Sequence, residues 1–255
     1  NSAYGKEPIP TLRALEKKYG YKFTALAVDH PGQEQKSTWL NIRRLRPDWI
    51  ILWGWGVMNQ VAIKEATSIG FKMDHMIGGW WSGSEADIKP SGEAAKGYLA
   101  GTWHAPGADT PLAKEILAKI YNGDEAKARA NNWGEVLYNR GVVQAVYQTE
   151  AAMTAMKHFK VKTITGEQMR WGLENLDLTD ARIKELGLEG FMRAVKVSCE
   201  DHETGGAVLI QQWDGKQWKI VHDWIDPMTD VLRPMIEASA AKYAKENNIK
   251  VRDCK

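Results

Sequence analysis

The stretch PDWIILWGWGVMNQVAIKEATSIGF, residues 47–71, sets two indoles and two glycines, Trp53-Gly54-Trp55-Gly56, where an apolar run gives way to a helical pattern. A glycine-rich corner of this kind can cradle a phosphate. Here Gly54-Trp55-Gly56 has no third glycine at the dinucleotide-loop spacing, and no P-loop lysine follows. Other chemistry is signalled as thinly. Ser82 lies in WSGS rather than GxSxG, so it is not the nucleophile of a strand–turn–helix elbow. Cys199, Asp201 and His202 have metal-ligand side chains, but their i, i+2, i+3 spacing fits a turn poorly, and the histidines form no HExxH. Glu85 and Asp87 form a carboxylate pair in a loop, better placed to cap a helix than to move protons. These residues nominate no reaction and call for no cofactor.

What stands out instead is tryptophan, 12 of 255 residues. An indole offers a large flat apolar surface with one N–H donor, which suits a ring-stacking pocket as well as a core. Elements that could position these rings are legible along the first half. Ile9, Leu12, Leu15 and Tyr19 recur at helical spacing after Pro8. FTALAV, 23–28, reads as a buried strand. Trp39, Ile42 and Leu45 form a helical stripe that stops before Pro47. DWIILW is a second strand, with Ile50, Ile51 and Leu52 for the core and Trp49 covering a sheet face. Met58, Ala62, Ala66 and Ile69 line the next helix. HMIGG and GYLAGTW read as a third and a fourth strand, and Thr110 caps the helix TPLAKEILAKIY. Strands alternating with helices imply βαβ units, hence an α/β fold with a parallel sheet flanked by helices.

Ligands of open parallel sheets bind outside the carboxyl ends of the strands. Trp53 and Trp55 follow the second strand, Trp80 and Trp81 the third, and Trp103 the fourth. Trp55 and Trp80 lie past the strands and are expected to line a pocket. Gly54, Gly56, Gly78 and Gly79 would let the backbone approach a ligand closely.

The second half reads differently. Residues 133–159 form a long amphipathic helix with Val136, Val143, Tyr147, Ala151 and Thr154 on one face. Two short capped helices follow at 165–176 and 179–187, then a hairpin over 205–224 with a two-residue turn at Asp214-Gly215, and a final helix over about 227–247. The change of character falls in NGDEAKARANN, 122–132. A net charge of +2 gives no pull towards nucleic acid or an acidic membrane surface. No run approaches the roughly 18 to 20 apolar residues of a membrane span. Cys199 and Cys254 fit either one disulfide or two free thiols. The tail position of Cys254 favours a bridge that pins the last helix, contributing roughly 3 to 5 kcal/mol through loop closure.

SAYGKE, PGQEQKSTWLNIRRLRPDWIILWGWG, GFKMDHMIGG, EAAKGYLAG, YNRGVVQAVYQTEAAMTAMKHF and VLIQQWDGKQWKIV form an ordered series over most of the chain. This series resembles the second lobe, and the helices that follow it, of the type I periplasmic solute-binding proteins of ABC importers, in the branched-chain amino acid group. The resemblance implies a two-lobe protein outside the cytoplasm that closes on a small solute, delivers it to a membrane permease and performs no chemistry. By position, Tyr4 matches the family's aromatic residue at the entrance to the second lobe. Trp55 matches the aromatic residue on the loop after the strand. Trp53, Gly56 and Trp81 complete the expected ligand-binding set with Trp80. Trp80 stands where amino-acid binders carry a carboxylate for the ligand's ammonium. A neutral indole cannot take that role, so an aromatic ring, an amide or a small carboxylate is expected. Cation–π contact with a quaternary amine is the other option. Rival readings are a ligand-sensing domain of a receptor or regulator, and a hydrolase using the same crevice.

The resemblance also implies a first lobe lacking its N-terminal part, because SAYG, where the family crosses into the second lobe, is already residues 2–5. The chain begins Asn-Ser-Ala-Tyr with no signal-peptide pattern. Residues 1–127 are then the second lobe, 128–194 helices of the first lobe, 195–225 strands and hairpin returning to the second lobe, and 226–255 a C-terminal helix and tail. The face carrying Val136, Val143, Tyr147 and Ala151 would lack its sheet. A separate N-terminal fragment or a second copy of the chain is expected to cover it.

Overall fold

The computed structural model describes residues 1–203 and 206–254; Gly205, the first residue of the expected hairpin, lies outside them. The helices are α1 (Ala3–Lys6), α2 (Ile9–Tyr19), α3 (Lys36–Leu45), α4 (Val57–Ser68), α5 (Glu85–Ile88), α6 (Pro111–Ile120), α7 (Glu125–Ala130), α8 (Val136–Phe159), α9 (Gly166–Glu174), α10 (Asp180–Glu185) and α11 (Thr229–Glu246). The strands are β1 (Ile50–Leu52), β2 (Met76–Gly78), β3 (Leu99–Thr102), β4 (Asp177–Leu178), β5 (Val195–Lys196), β6 (Val208–Trp213) and β7 (Trp218–Ile225). Capping sets several of the boundaries. Thr110 accepts from Ala113 N–H, Thr165 and Gln168 form a capping box, and Thr179 accepts from Arg182 N–H.

The main sheet runs β1-β2-β3-β6-β7, with β1, β2 and β3 parallel and the hairpin antiparallel beside β3. Its core joins Trp39 and Ile42 of α3, Ala62, Ile63 and Ala66 of α4, and Tyr98, Trp213 and Trp218. A two-stranded antiparallel ladder, β4-β5, is separate. Among the described residues no second parallel sheet is present.

Several expectations change. Residues 23–28 form no strand. Phe23 N–H donates to Glu16 (2.7 Å), Phe23 C=O accepts from Arg13 (2.8 Å), and the Asn1 amino group donates to Val28 C=O (2.6 Å). These bonds anchor the two ends of the run, and residues 24–27 between them are exposed, so their backbone is open to water and needs no ladder. In β1, Ile50 and Leu52 pack on the core, but Ile51 is 47% exposed, because only one face of this strand is covered. Trp49 is also exposed and stacks on His75 at 4.7 Å instead of covering the sheet. The buried stripe of α4 is Asn59, Ala62, Ile63 and Ala66. The hairpin loop spans 214–217 between the paired Trp213 and Trp218, because Asp214 accepts from the N–H groups of both Lys216 and Gln217 (2.9 Å each).

The face of α8 is covered by the chain itself. Val136 is buried in the sheet core. Val143 and Ala151 are buried with Leu176, Leu178, Ile183, Leu188, Phe191 and Met192, and Tyr147 packs at the edge. At Gly172 of α9 a Cβ would lie 2.2 Å from Ala151 C=O, so this contact requires glycine. The Cys199–Cys254 disulfide is formed, with Cα atoms 5.6 Å apart.

Candidate functional site

β1, β2 and β3 lie side by side, so their carboxyl ends bring Trp53, Trp80 and Trp103 to one edge of the sheet. A buried polar knot fixes the loops there. The Ser82 hydroxyl donates to Gly54 C=O (2.7 Å), and Asn59 Nδ2 donates to Trp81 C=O (3.2 Å) and Asp87 Oδ1 (3.1 Å). The Ser84 hydroxyl donates to Asp87 Oδ2 (2.6 Å) within the capping box of α5. Desolvation raises the Asp87 carboxyl above its ordinary range, and the Ser84 and Asn59 donors oppose that rise. The corner after β1 and the loop after β2 are thereby one rigid unit.

On this base stand two groups of rings. Tyr4 stacks on Trp55 (centroids 5.5 Å apart, planes 3° apart) and on Trp53 (5.7 Å). Trp80 lies 4.2 Å from Trp81 and 4.6 Å from Trp103. The groups meet at Gly79, where a Cβ would sit 3.3 Å from the Trp53 ring. At Gly78 a Cβ would fall 2.0 Å from the Tyr98 hydroxyl. Gly78 and Gly79 therefore make room for the protein's own rings. Gly56 sits at φ 58°, without a side-chain cap, at the start of α4.

Trp55, Trp81 and Trp103 are 37%, 42% and 40% exposed, so each presents ring surface to solvent. The Tyr4 hydroxyl and Trp53 Nε1 are buried with no partner among the described residues. Desolvation, helped by Glu7, pushes the Tyr4 hydroxyl up to about 12, so it remains a proton donor.

α8 closes one side. Glu85 accepts from Val136 N–H (2.8 Å), tying the first turn of α8 to the loop after β2. Asn139 Nδ2 donates to Ala105 C=O (3.2 Å) and Gly107 C=O (2.9 Å), tying it to the loop after β3. The Arg140 guanidinium lies 4.6 Å from the centre of the Trp80 ring and donates from Nη2 to Trp80 C=O (3.0 Å). His104 is buried with Nδ1 3.0 Å from Ala105 C=O, which places the proton on Nδ1. Desolvation, with Arg140 opposing a second charge, pulls His104 down to about 4, so the ring is neutral.

The residues expected from sequence thus fall into two touching groups, Tyr4 with Trp53 and Trp55, and Trp80 with Trp81, while Gly56 opens α4 beside them. Trp103 and Arg140 join them without having been in that set. Arg140 carries no sequence signal of its own, because the fifth position of α8 lies past the first turn, where a helix dipole acts.

The periplasmic binding protein family model matches residues 1–217. A solved structure described as an ABC transporter permease from the Pseudomonas fluorescens group is 42% identical with a TM-score of 0.92, over 100% of this chain and 62% of that one. A branched-chain amino acid ABC transporter from Thermus thermophilus with bound valine is 18% identical (TM-score 0.72), over 92% of this chain and 60% of that one. A solute-binding protein from R. palustris in complex with benzoate is 11% identical (TM-score 0.59), over 89% of this chain and 63% of that one. The last two show the fold alone. The chain spans 60% to 63% of the length of these three structures. No curated protein matches it. With the family match over residues 1–217 and the parallel β1-β2-β3 sheet flanked by helices, the chain belongs to the type I periplasmic binding proteins of ABC transporters.

Proposed function

We propose that the chain is the solute-binding component of an ABC-type importer, acting outside the cytoplasm and passing a small organic solute to a membrane permease. The observation that carries this reading is the convergence of Trp53, Trp80 and Trp103 from three consecutive strand ends, with Tyr4 stacked between Trp53 and Trp55. Flat apolar surfaces of this kind hold a planar group by dispersion and stacking. The proposed contact residues are Tyr4, Trp53, Trp55, Gly56, Trp80 and Trp81. Trp80 stands where the resemblance expects a carboxylate, and the Arg140 cation lies against it. Both features disfavour an ammonium, so an aromatic, amide or small carboxylate solute fits better than a plain aliphatic amino acid. The relatives from Thermus thermophilus and R. palustris hold valine and benzoate, and the fold is compatible with either kind of ligand.

On this reading residues 1–127 act as the second lobe, 128–194 carry helices of the first, 195–225 return to the second, and 226–255 close the chain. A separate N-terminal fragment or a second copy of the chain is the proposed source of any further covering surface. Native mass spectrometry of freshly purified protein tests the reading by looking for a retained small molecule. Calorimetry with that solute should then show Trp55→Ala and Trp80→Ala weakening binding by about 1 to 3 kcal/mol with little change in Tm. Unchanged affinity with a large loss of stability would assign both rings to the core.

A further inference from the structure

Arg140 carries a half-buried charge that its own contacts leave unbalanced. It projects from α8 onto the Trp80 ring, and its Nη2 is spent on Trp80 C=O. Its Nε is buried with no partner among the described residues. The carboxylate that acts on it electrostatically is Asp87, whose oxygens already accept from Ser84 and Asn59. The nearby His104 ring is neutral and in neither protonation state offers a negative charge to the guanidinium. A half-buried cation without a bonded counter-charge is held at a cost, since desolvation alone disfavours it. The chain nevertheless fixes it against the one ring that packs on both Trp81 and Trp103. A guanidinium offers a planar fork that matches the two oxygens of a carboxylate. An aromatic floor with a cation at its margin is complementary to a flat ring bearing that group.

We infer that Arg140 is the recognition group for a carboxylate carried by a planar solute, so the ligand is an aromatic or conjugated acid rather than a neutral amide or an amine. This inference rests on the solute-binding reading above and narrows its substrate class. The Trp80 carbonyl and ring hold the guanidinium in place before the solute arrives, which lowers the ordering cost of binding.

Calorimetry and tryptophan fluorescence with paired probes test it: benzoate against benzamide, and cinnamate against cinnamyl alcohol. The chain should bind each acid at least about tenfold tighter than its neutral partner, the worth of one charge-assisted hydrogen bond. Arg140→Gln should weaken the acids by about 10- to 100-fold and leave the neutral compounds unchanged. Arg140→Lys keeps the charge without the fork and should fall between. Should Arg140→Gln not fold, the acid-to-neutral ratio in Arg140→Lys reads the same quantity. Neutral probes that bind as tightly as the acids, with no response to either variant, would overturn the role of Arg140 while leaving solute binding intact. An equal loss for acid and neutral probes would reduce Arg140 to a prop for Trp80 and also overturn it. If no probe of either charge binds, the aromatic solute-binding reading fails together with this one.

Discussion

Glu85 should make the stability of this protein fall as pH rises from about 4.5 to about 7. Its carboxylate accepts from Val136 N–H (2.8 Å) and so holds the first turn of α8 to the loop after β2. Burial raises the carboxyl from 4.5 to about 7, although the Val136 N–H favours the charged form. Below about 4.5 the group is protonated in both the folded and the unfolded chain and contributes nothing. Between 4.5 and about 7 the folded protein keeps a proton that the unfolded chain has lost, so stability declines with pH and levels off above about 7. At 1.36 kcal/mol per pH unit, the interval from 4.5 to about 7 corresponds to about 3 kcal/mol. Glu85→Gln keeps an oxygen for the Val136 N–H and removes the charge. Urea unfolding at pH 4, 5, 6, 7 and 8 should give nearly equal stabilities for the two proteins at pH 4, below the ordinary carboxyl value of 4.5. The variant should gain up to about 3 kcal/mol over the wild type at pH 8. Parallel pH profiles, or a variant less stable than wild type at pH 8, would refute the reasoning, because the carboxylate would then be stabilising in its charged form.

Two further outcomes are expected. Gly78→Ala puts a methyl 2.0 Å from the Tyr98 hydroxyl, so the fully buried ring must move. The loss should be about 1 to 3 kcal/mol by urea titration, and a neutral effect would mean that β2 yields instead. Reducing the Cys199–Cys254 bridge, which spans a sequence separation of 55, should lower unfolding stability by up to about 4 kcal/mol. Coincident melts with and without reductant would show that the unreduced chain is no more constrained when unfolded.

The parallel half of the fold was legible because its signals are local. Apolar runs at 48–53, 75–79 and 97–103 end beside the ring cluster, and Thr110 announces its helix. The bridge was legible from two cysteines and the tail position of one. FTALAV misled because an apolar run does not register that Arg13, Glu16 and the Asn1 amino group anchor its ends while residues 24–27 stay exposed. The cover of α8 was hidden for a different reason. Leu176, Leu178, Leu188 and Phe191 come from a two-residue strand and from loops, which carry no period to read. The role of Gly78 depends on Tyr98, a residue 20 positions later that only the folded sheet brings beneath it. Arg140 was invisible in the same way, since its significance lies in what stands beside it across α8 and the loop after β2.

α11 contributes no buried residue to the protein. It rests on Lys18–Asp230 (3.1 Å) and on Arg233 donating to Glu200 C=O (2.8 Å). Beyond it Arg252 grips Glu174 through two bonds of 2.7 Å, and Cys254 is joined to Cys199. The helix is therefore a strap fastened at both ends, to β7 on one side and to the bridge on the other. A protease that cuts at exposed Lys242 or Lys245 severs the backbone without releasing a piece, because Cys199 and Cys254 lie on opposite sides of the cut. Unreduced, such a nicked molecule migrates as one body, and it separates into two chains only when the sulfur bond is opened. A single band on a non-reducing gel therefore does not certify an unbroken chain.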